Sequence, residues 1–316
     1  MRLVSSILVL ALAFMVQSVM AADGCCCKAK SCAGQEAWPV GVFVSVDAGL
    51  GLQIDFAKEI GVKMIQMHTP AKNSRTEEKA VAFKARLKEL GLVPTVVFCG
   101  FDGESYADIP TTQKTVGLVP AATRASRLAE VYEIADFAKN IGCAAIGIHI
   151  GFIPPVAEDA KTHAELVKVA QDLCDYLAKS GQRLHLETGQ ETADGLLAFL
   201  TDVNRPNIFV NFDPANMILY GSGNPIEALK KIGKYVRSCH CKDALWSKNP
   251  GKDWGQEVPF GEGQVDAKKF FETLREIGYT GPVTIEREIP DQPERQKKEI
   301  IQAVKLIETI KAELKK

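Results

Sequence analysis

The sequence predicts a (β/α)8 barrel (TIM barrel), formed as a single domain by residues 38–316 after an N-terminal signal peptide. An apolar residue followed by glycine, as at Ile60-Gly61 and Ile141-Gly142, recurs before strand-like runs and indicates helix ends. Eight such runs alternate with helical patterns and lie near 40–46, 62–67, 93–99, 143–150, 183–188, 207–213, 235–241 and 281–286. Eight repeats in a domain of this length fit a closed barrel, and an open doubly wound sheet is the alternative.

Residues 1–21 have the pattern of a signal peptide. Arg2 supplies the positive start, residues 3–15 are apolar, and Val19-Met20-Ala21 resembles a cleavage site. The apolar run is too short to span a bilayer comfortably. We therefore expect an exported protein, periplasmic or secreted.

Residues 22–37 form a predicted cysteine-rich linker that contains Cys25, Cys26, Cys27 and Cys32. Lipid anchoring at Cys25, a disulfide-linked tail and a metal-binding tail are open alternatives. The other five of the nine cysteines lie in apolar patterns where small buried thiols are expected: Cys99, Cys143, Cys174, Cys239 and Cys241.

The charge balance excludes one class of partner. The chain has 38 Lys and Arg against 39 Asp and Glu, and no basic stripe, which argues against nucleic-acid binding. After the signal peptide, no stretch is apolar for long enough to cross a membrane. We expect a small-molecule substrate, and an oligomer is compatible with the sequence.

Several local patterns place the helices and loops. Ser74-Arg75-Thr76-Glu77 resembles a capping box that opens the second helix. Two connections, 100–124 and 244–266, are longer than a barrel requires and leave the carboxyl ends of strands, where barrel active sites form, so they are candidate lids. Apolar stripes mark the fourth and the last helix: Leu166, Val169, Leu173 and Leu177, and Ile300, Val304, Ile307 and Leu314.

The last four predicted strands each end on a residue that can bind a divalent cation. These residues, here called the ligand set, are Glu187, Asp213, His240 and Glu286. Taken singly, an acid at a strand end is more often a helix cap or a solvated charge. At one level of a barrel mouth, three carboxylates would repel one another without a cation. The ligand set therefore predicts one divalent metal, Mn²⁺, Mg²⁺, Co²⁺ or Zn²⁺, with Mn²⁺ favoured.

The same residues lie in motifs that resemble the xylose isomerase-like superfamily, which includes the sugar phosphate isomerases/epimerases. The resemblance covers the whole domain and is densest from Glu187 onward. Its motifs are Leu186-Glu187, Asp213-Pro214-Ala215-Asn216, His240-Cys241-Lys242-Asp243, Gly261-Glu262-Gly263-Gln264-Val265-Asp266, Gly278-Tyr279-Thr280-Gly281 and Thr284-Ile285-Glu286.

The resemblance implies a keto-sugar isomerase or epimerase. In that group the metal chelates a carbonyl and its neighbouring hydroxyl. Glu187 and Glu286 match the paired carboxylates that remove a proton and return one through a metal-stabilised enediolate. Asp213 and His240 match ligands without proton-transfer duty.

Some positions depart from the epimerase pattern. Asn216 and Trp246 stand where such epimerases often carry His and Arg, so the far end of the substrate is held differently. Lys242 matches the inosose dehydratase branch, where it would polarise a carbonyl or guide an elimination. A surface lysine at the start of a loop is the simpler alternative.

Further residues are candidate substrate contacts. His149 and His68 end predicted strands near the mouth, and each is either a contact or structural. His185 is predicted to be structural, and Glu191 to belong to the next helix. Trp246, Trp254 and Phe260 would either stack on a sugar or pack the loop: these three aromatic residues follow the seventh strand.

Three functions stay open from the sequence. The leading one is a metal-dependent isomerase or epimerase of a keto-sugar. The alternative is a lyase or hydratase that acts on a 3-keto-glycoside or inosose with the same metal site, and a non-catalytic sugar-binding barrel is third. Because phosphorylated sugars are mostly cytoplasmic, export favours a free or glycosidically linked keto-sugar.

Overall fold

The computed structural model describes residues 37–47 and 51–315, and Ala37–Lys316 forms one compact unit. The predicted signal peptide (1–21), the linker up to residue 36 and its four cysteines lie outside the described residues. Within the described residues, no helix is both long and apolar enough to cross a membrane. The five remaining cysteines are free and buried, as predicted.

Eight parallel strands form a closed barrel. Each strand pairs with the next, and the last pairs with the first through Val40↔Val283 and Gly41↔Thr284, which excludes the open doubly wound sheet. The barrel strands are β1 (Val40–Ser45), β3 (Met64–His68), β4 (Val93–Phe98), β5 (Ala145–Ile148), β6 (Arg183–Glu187), β7 (Ile208–Phe212), β8 (Val236–Cys241) and β11 (Val283–Ile285).

Ten α-helices in the described residues follow the strands. They are α1 (Ile54–Ile60), α2 (Glu77–Leu90), α3 (Ile109–Thr115), α4 (Ala121–Ile141), α5 (Val156–Ala178), α6 (Ala193–Val203), α7 (Pro214–Tyr220), α8 (Pro225–Ile232), α9 (Ala267–Glu276) and α10 (Pro293–Leu314). Gly61, Gly91 and Gly142 end helices in the left-handed conformation, as the apolar-glycine pattern predicted. Leu166, Leu173 and Leu177 are buried, and they join α5 to the core.

The structure differs from the sequence prediction in four local features. Glu191 precedes helix α6, which begins at Ala193 after the N-cap Thr192, so it does not belong to that helix. Helix α2 is capped by Thr76, which accepts from the Lys79 N–H, so the predicted capping box at Ser74 begins two residues too early. A short strand β2 (Leu52–Gln53) pairs with the end of β1. The long connection after β8 contains an antiparallel hairpin of β9 (Asp243–Leu245) and β10 (Gln256–Val258).

Candidate metal centre

The barrel brings the whole ligand set to one point at the carboxyl ends of the strands. Glu187 ends β6, Asp213 and Glu286 directly follow β7 and β11, and His240 lies in β8 one residue before its end. One donor atom from each residue lies within 4.8 Å of the other three. All four are buried, with exposed fractions between 0% and 8%. Sequence reasoning therefore chose residues that share one site.

The three carboxylates converge on a single atom, Nδ1 of His240. Its distances are 2.8 Å to Glu187 Oε1, 3.2 Å to Asp213 Oδ2 and 3.1 Å to Glu286 Oε2. Asp213 also caps α7, since its Oδ1 accepts from the Asn216 N–H at 2.9 Å. One oxygen of Asp213 thus satisfies the helix end and the other faces the site, so the capping role does not exclude a ligand role.

The chemistry of these donors fits a divalent cation. Buried carboxylates at this spacing need a positive charge, and a mixed oxygen and nitrogen set suits Mn²⁺, Mg²⁺, Co²⁺ or Zn²⁺. Without a metal, a proton on His240 has that role. Burial opposes the charged imidazole, but Glu286 and Glu187 outweigh burial and raise the pKa of His240 well above its usual value.

We expect metal affinity to depend on pH for this reason. The raised pKa keeps His240 protonated at neutral pH in the metal-free protein, and the metal must displace that proton. Apparent Mn²⁺ affinity should increase about tenfold for each unit of rising pH through the neutral range. Isothermal titration in buffers of different ionisation enthalpy would measure the released proton, and a pH-independent affinity would contradict it.

A second layer of polar residues orients His240, and sequence reasoning missed it. Nε2 of His240 lies 2.5 Å from Gln66 Oε1, so Nε2 carries a hydrogen, and Nδ1 presents its lone pair to the site once a metal displaces its proton. Asn211 Nδ2 donates to Glu187 Oε1 at 3.2 Å, and Gln66 Nε2 donates to Asn211 Oδ1. Both amides interrupt otherwise apolar strands, and this is the sequence signal that could have identified them.

The Gln66→Leu substitution tests this layer. The leucine cannot accept from Nε2, so His240 loses its preferred tautomer, and we expect Mn²⁺ affinity to fall by about 10- to 100-fold. Competition with a fluorescent chelator would measure the change. Gln66→Glu keeps an acceptor and should remain closer to wild type, whereas unchanged affinity in Gln66→Leu would refute the orienting role.

His149 lies beside Glu187 rather than free in the mouth. Its Nε2 is 2.9 Å from Glu187 Oε2, and its Nδ1 is 3.2 Å from the Gln190 side-chain amide. Burial works against its charged form, but Glu187 prevails and raises the pKa of His149 to about 9. His149 and His240 in turn outweigh the burial of Glu187 and lower its pKa below the usual range. The carboxylate is therefore ionised and fixed in place.

Lys242 is buried in the site, 3% exposed, which rules out a surface lysine. Its Nζ donates to Glu286 Oε2 at 3.0 Å, to Glu288 Oε1 at 2.5 Å and to Asn216 Oδ1 at 3.4 Å. Burial disfavours the ammonium, but Glu286 and the other nearby acids raise its pKa well above its usual value. Lys242 is thus a fixed positive charge beside a ligand carboxylate.

A cavity of about 370 Å³ opens above the ligand set, within the range of small-molecule sites. The predicted contacts His68, His149, Asn216 and Lys242 line it. Trp246 is outside this lining, and its backbone N–H donates to Gln264. The loop aromatic that lines the cavity is Trp254, whose ring packs against Tyr220 at 4.6 Å.

Asp243 explains the glycine-rich motif after β8. Its carboxylate accepts backbone N–H groups of Gly261, Gly263 and Val265 at 3.0–3.1 Å. A Cβ on Gly263 would lie 2.1 Å from Asp243 Oδ1, so only glycine fits there. This carboxylate closes the base of the loop whose residues Trp254, Gly255 and Glu257 line the cavity.

Comparison with known proteins agrees with this fold. The family described as "Xylose isomerase-like TIM barrel" matches residues 54–309. A solved structure titled as a xylose isomerase domain protein from Planctomyces limnophilus is 57% identical, with a TM-score of 0.86 over 88% of this chain and 98% of that one. A solved D-psicose 3-epimerase has a TM-score of 0.61 at 17% identity, over 86% of this chain and 99% of that one, which shows likeness of fold alone.

The curated relatives include sugar epimerases. An L-ribulose 3-epimerase of Methylomonas sp. (strain DH-1) is 30% identical over 151 residues, 46% of this chain and 48% of the relative, so the match spans about half of that protein. An L-ribulose-5-phosphate 3-epimerase of Salmonella heidelberg (strain SL476) is 24% identical over 74% of this chain and 80% of the relative. Since the family match covers most of its length, the chain belongs to the xylose isomerase-like TIM barrel family.

Proposed function

We propose that this protein is a metal-dependent isomerase or epimerase of a keto-sugar, with Glu187 and Glu286 as the proton-transfer groups. The observation that carries the proposal is their placement. In the barrel order β6-β7-β8-β11, these glutamates flank the strands that supply Asp213 and His240. Both glutamates line the cavity.

The residues of this chain divide the work. A bound divalent cation would supply Lewis acidity, which makes a hydrogen next to a carbonyl acidic enough for a carboxylate base. Glu187, held ionised by His149, removes or accepts a proton on one side of the substrate. Glu286 does so from the other side, and Lys242 holds its Oε2 in position. Trp254, Gly255 and Glu257 of the loop after β8 line the cavity beside these groups.

The cavity favours an unphosphorylated sugar. Glu104, Glu257 and Glu288 line it together with Glu187 and Glu286. Among its lining residues, Lys242 alone is a lysine or an arginine. Carboxylates accept hydrogen bonds from sugar hydroxyls but repel a phosphate. An exported protein, which the pattern of residues 1–21 favours, would also meet free or glycosidically linked keto-sugars.

A lyase or hydratase that acts on a 3-keto-glycoside or inosose is the second candidate. The observation that favours it is the buried ammonium of Lys242 at the cavity wall. A fixed cation beside the proton-transfer carboxylate can stabilise a departing oxygen. The carbanion left after proton removal next to the carbonyl would then expel a leaving group from the adjacent carbon instead of being reprotonated.

Incubation in D₂O distinguishes these functions. The purified protein with Mn²⁺ is given free ketoses and 3-keto-glycosides, and products are followed by NMR. We expect deuterium at the carbon next to the carbonyl together with a new epimer or isomer. Release of an aglycone or an enone would establish the lyase. Saturable sugar binding without deuterium exchange would support a non-catalytic sugar-binding barrel.

A further inference from the structure

A second polar cavity lies at the opposite end of the barrel from the ligand set. It has a volume of about 290 Å³ and is bordered by the amino-terminal parts of strands β4, β5, β6 and β8. Arg183, His185, Arg237 and Ser238 are its polar side chains with donor groups, together with Thr95. This end of a barrel usually serves stability alone. Here two exposed arginines, Arg183 and Arg237, border the cavity beside the buried His185 and Ser238.

His185 has a buried ring nitrogen without a partner in the described residues. The residue is 3% exposed, and its Nδ1 lies 2.8 Å from Ser238 Oγ. The hydroxyl has no other hydrogen-bond partner within the described residues, and its proton is used only if it donates to Nδ1. The imidazole hydrogen is then on Nε2, which is buried and unpaired in the described part of the chain. A buried donor of this kind is costly unless something accepts from it.

The two arginines also lack an acidic partner in the described ranges 37–47 and 51–315. Arg237 stacks over the Phe209 ring at 4.5 Å and donates to the carbonyls of Lys234 and Val236. Burial lowers the pKa of Arg237, and the charge of Arg183 lowers it further. Two guanidinium groups therefore act on each other at the cavity with no carboxylate to offset them.

We propose that this cavity binds a phosphate-type oxyanion, inorganic or as a phosphomonoester, through Arg183, Arg237 and the Nε2–H of His185. Guanidinium groups match the geometry of phosphate oxygens, and they donate charge-assisted hydrogen bonds. Such an anion would offset both positive charges and accept from the unpaired donor. The site is separate from the ligand set, so the proposal does not rest on the proposed function.

Equilibrium dialysis with radiolabelled phosphate tests the site in the full-length protein. We expect one saturable site per chain, with affinity at least about tenfold weaker in Arg183→Gln and in Arg237→Gln. Arg86→Gln removes the same charge from helix α2 and should not change binding. Asp213→Asn should also bind normally, which excludes phosphate held at the metal centre.

Two further measurements locate the anion and identify its source. In ¹⁵N-histidine-labelled protein, phosphate should shift the Nε2–H signal that is lost in His185→Phe. Competition by glucose 6-phosphate but not by glucose would show that the site accepts phosphomonoesters, and competition by inorganic phosphate alone would restrict it to the free anion. Equal binding in wild type and both arginine variants, or no saturable binding, would overturn the proposal.

Discussion

Glu187→Gln and Glu286→Gln should each lower turnover of the keto-sugar about a thousandfold, the usual size of a lost acid or base. Glutamine keeps an oxygen that can bind a metal, but it cannot take a proton. The main loss should therefore appear in kcat at saturating Mn²⁺. Metal analysis of the variants would show whether the ion is retained.

The two single variants should also differ in which epimer exchanges its hydrogen with solvent. If the two glutamates serve opposite sides of the substrate, the remaining carboxylate still exchanges the hydrogen that faces it. Glu187→Gln should then exchange deuterium into one epimer, Glu286→Gln into the other, and neither should interconvert them. Exchange into both epimers by either variant would show that a single base serves both sides.

Glu191→Gln is the matched control. Glu191 is buried and lies four residues after Glu187, but it accepts from the Ile153 N–H and does not line the cavity. Burial raises its pKa to about 7, so an uncharged amide is close to one of its natural states. Its activity should stay within a few-fold of wild type. A loss as large as that of the ligand glutamates would mean that both losses are structural.

The sequence predicted the ligand set because topology alone brings strand ends together. In a closed parallel barrel, the carboxyl ends of neighbouring strands meet at one mouth, so Glu187, Asp213 and Glu286 needed no further information. The role of Gln66 was harder to predict from the sequence, because its partner His240 is 174 residues away and only the fold brings the two together. The sequence signal for Gln66 was a polar residue between the apolar residues Ile65 and Met67 of strand β3.

Lys242 and the loop after β8 show a different limit. The local sequence around a lysine next to a strand end does not show whether its side chain is solvated or buried. Lys242 is buried because Glu286 and Glu288 pack around it and accept its hydrogen bonds. Likewise, aromatic residues in a long connection cannot be ranked by composition. The hairpin of β9 and β10 places Trp254 at the cavity and leaves Trp246 outside its lining.

Mn²⁺ should raise the thermal midpoint of the protein by about 10 °C, and Asp213→Asn should remove most of that increase. A ligand at roughly a thousand times its dissociation constant stabilises by about 4 kcal/mol, which corresponds to this shift in a domain of this size. Differential scanning calorimetry with and without Mn²⁺ would measure it. Asp172→Asn, at an exposed acid paired with Lys168, should keep the full increase.

Asparagine at position 213 separates the two roles of this residue. Its side-chain oxygen can still accept from the Asn216 N–H and cap α7. Alanine would lose the cap, which lowers the free energy of unfolding by about 1 kcal/mol. Metal-free Asp213→Asn should melt at or above the metal-free wild type, because one of three crowded carboxylates is neutral. If it instead melts well below, the negative charge of Asp213 stabilises the metal-free protein, and repulsion relieved by a cation is not what holds this site together.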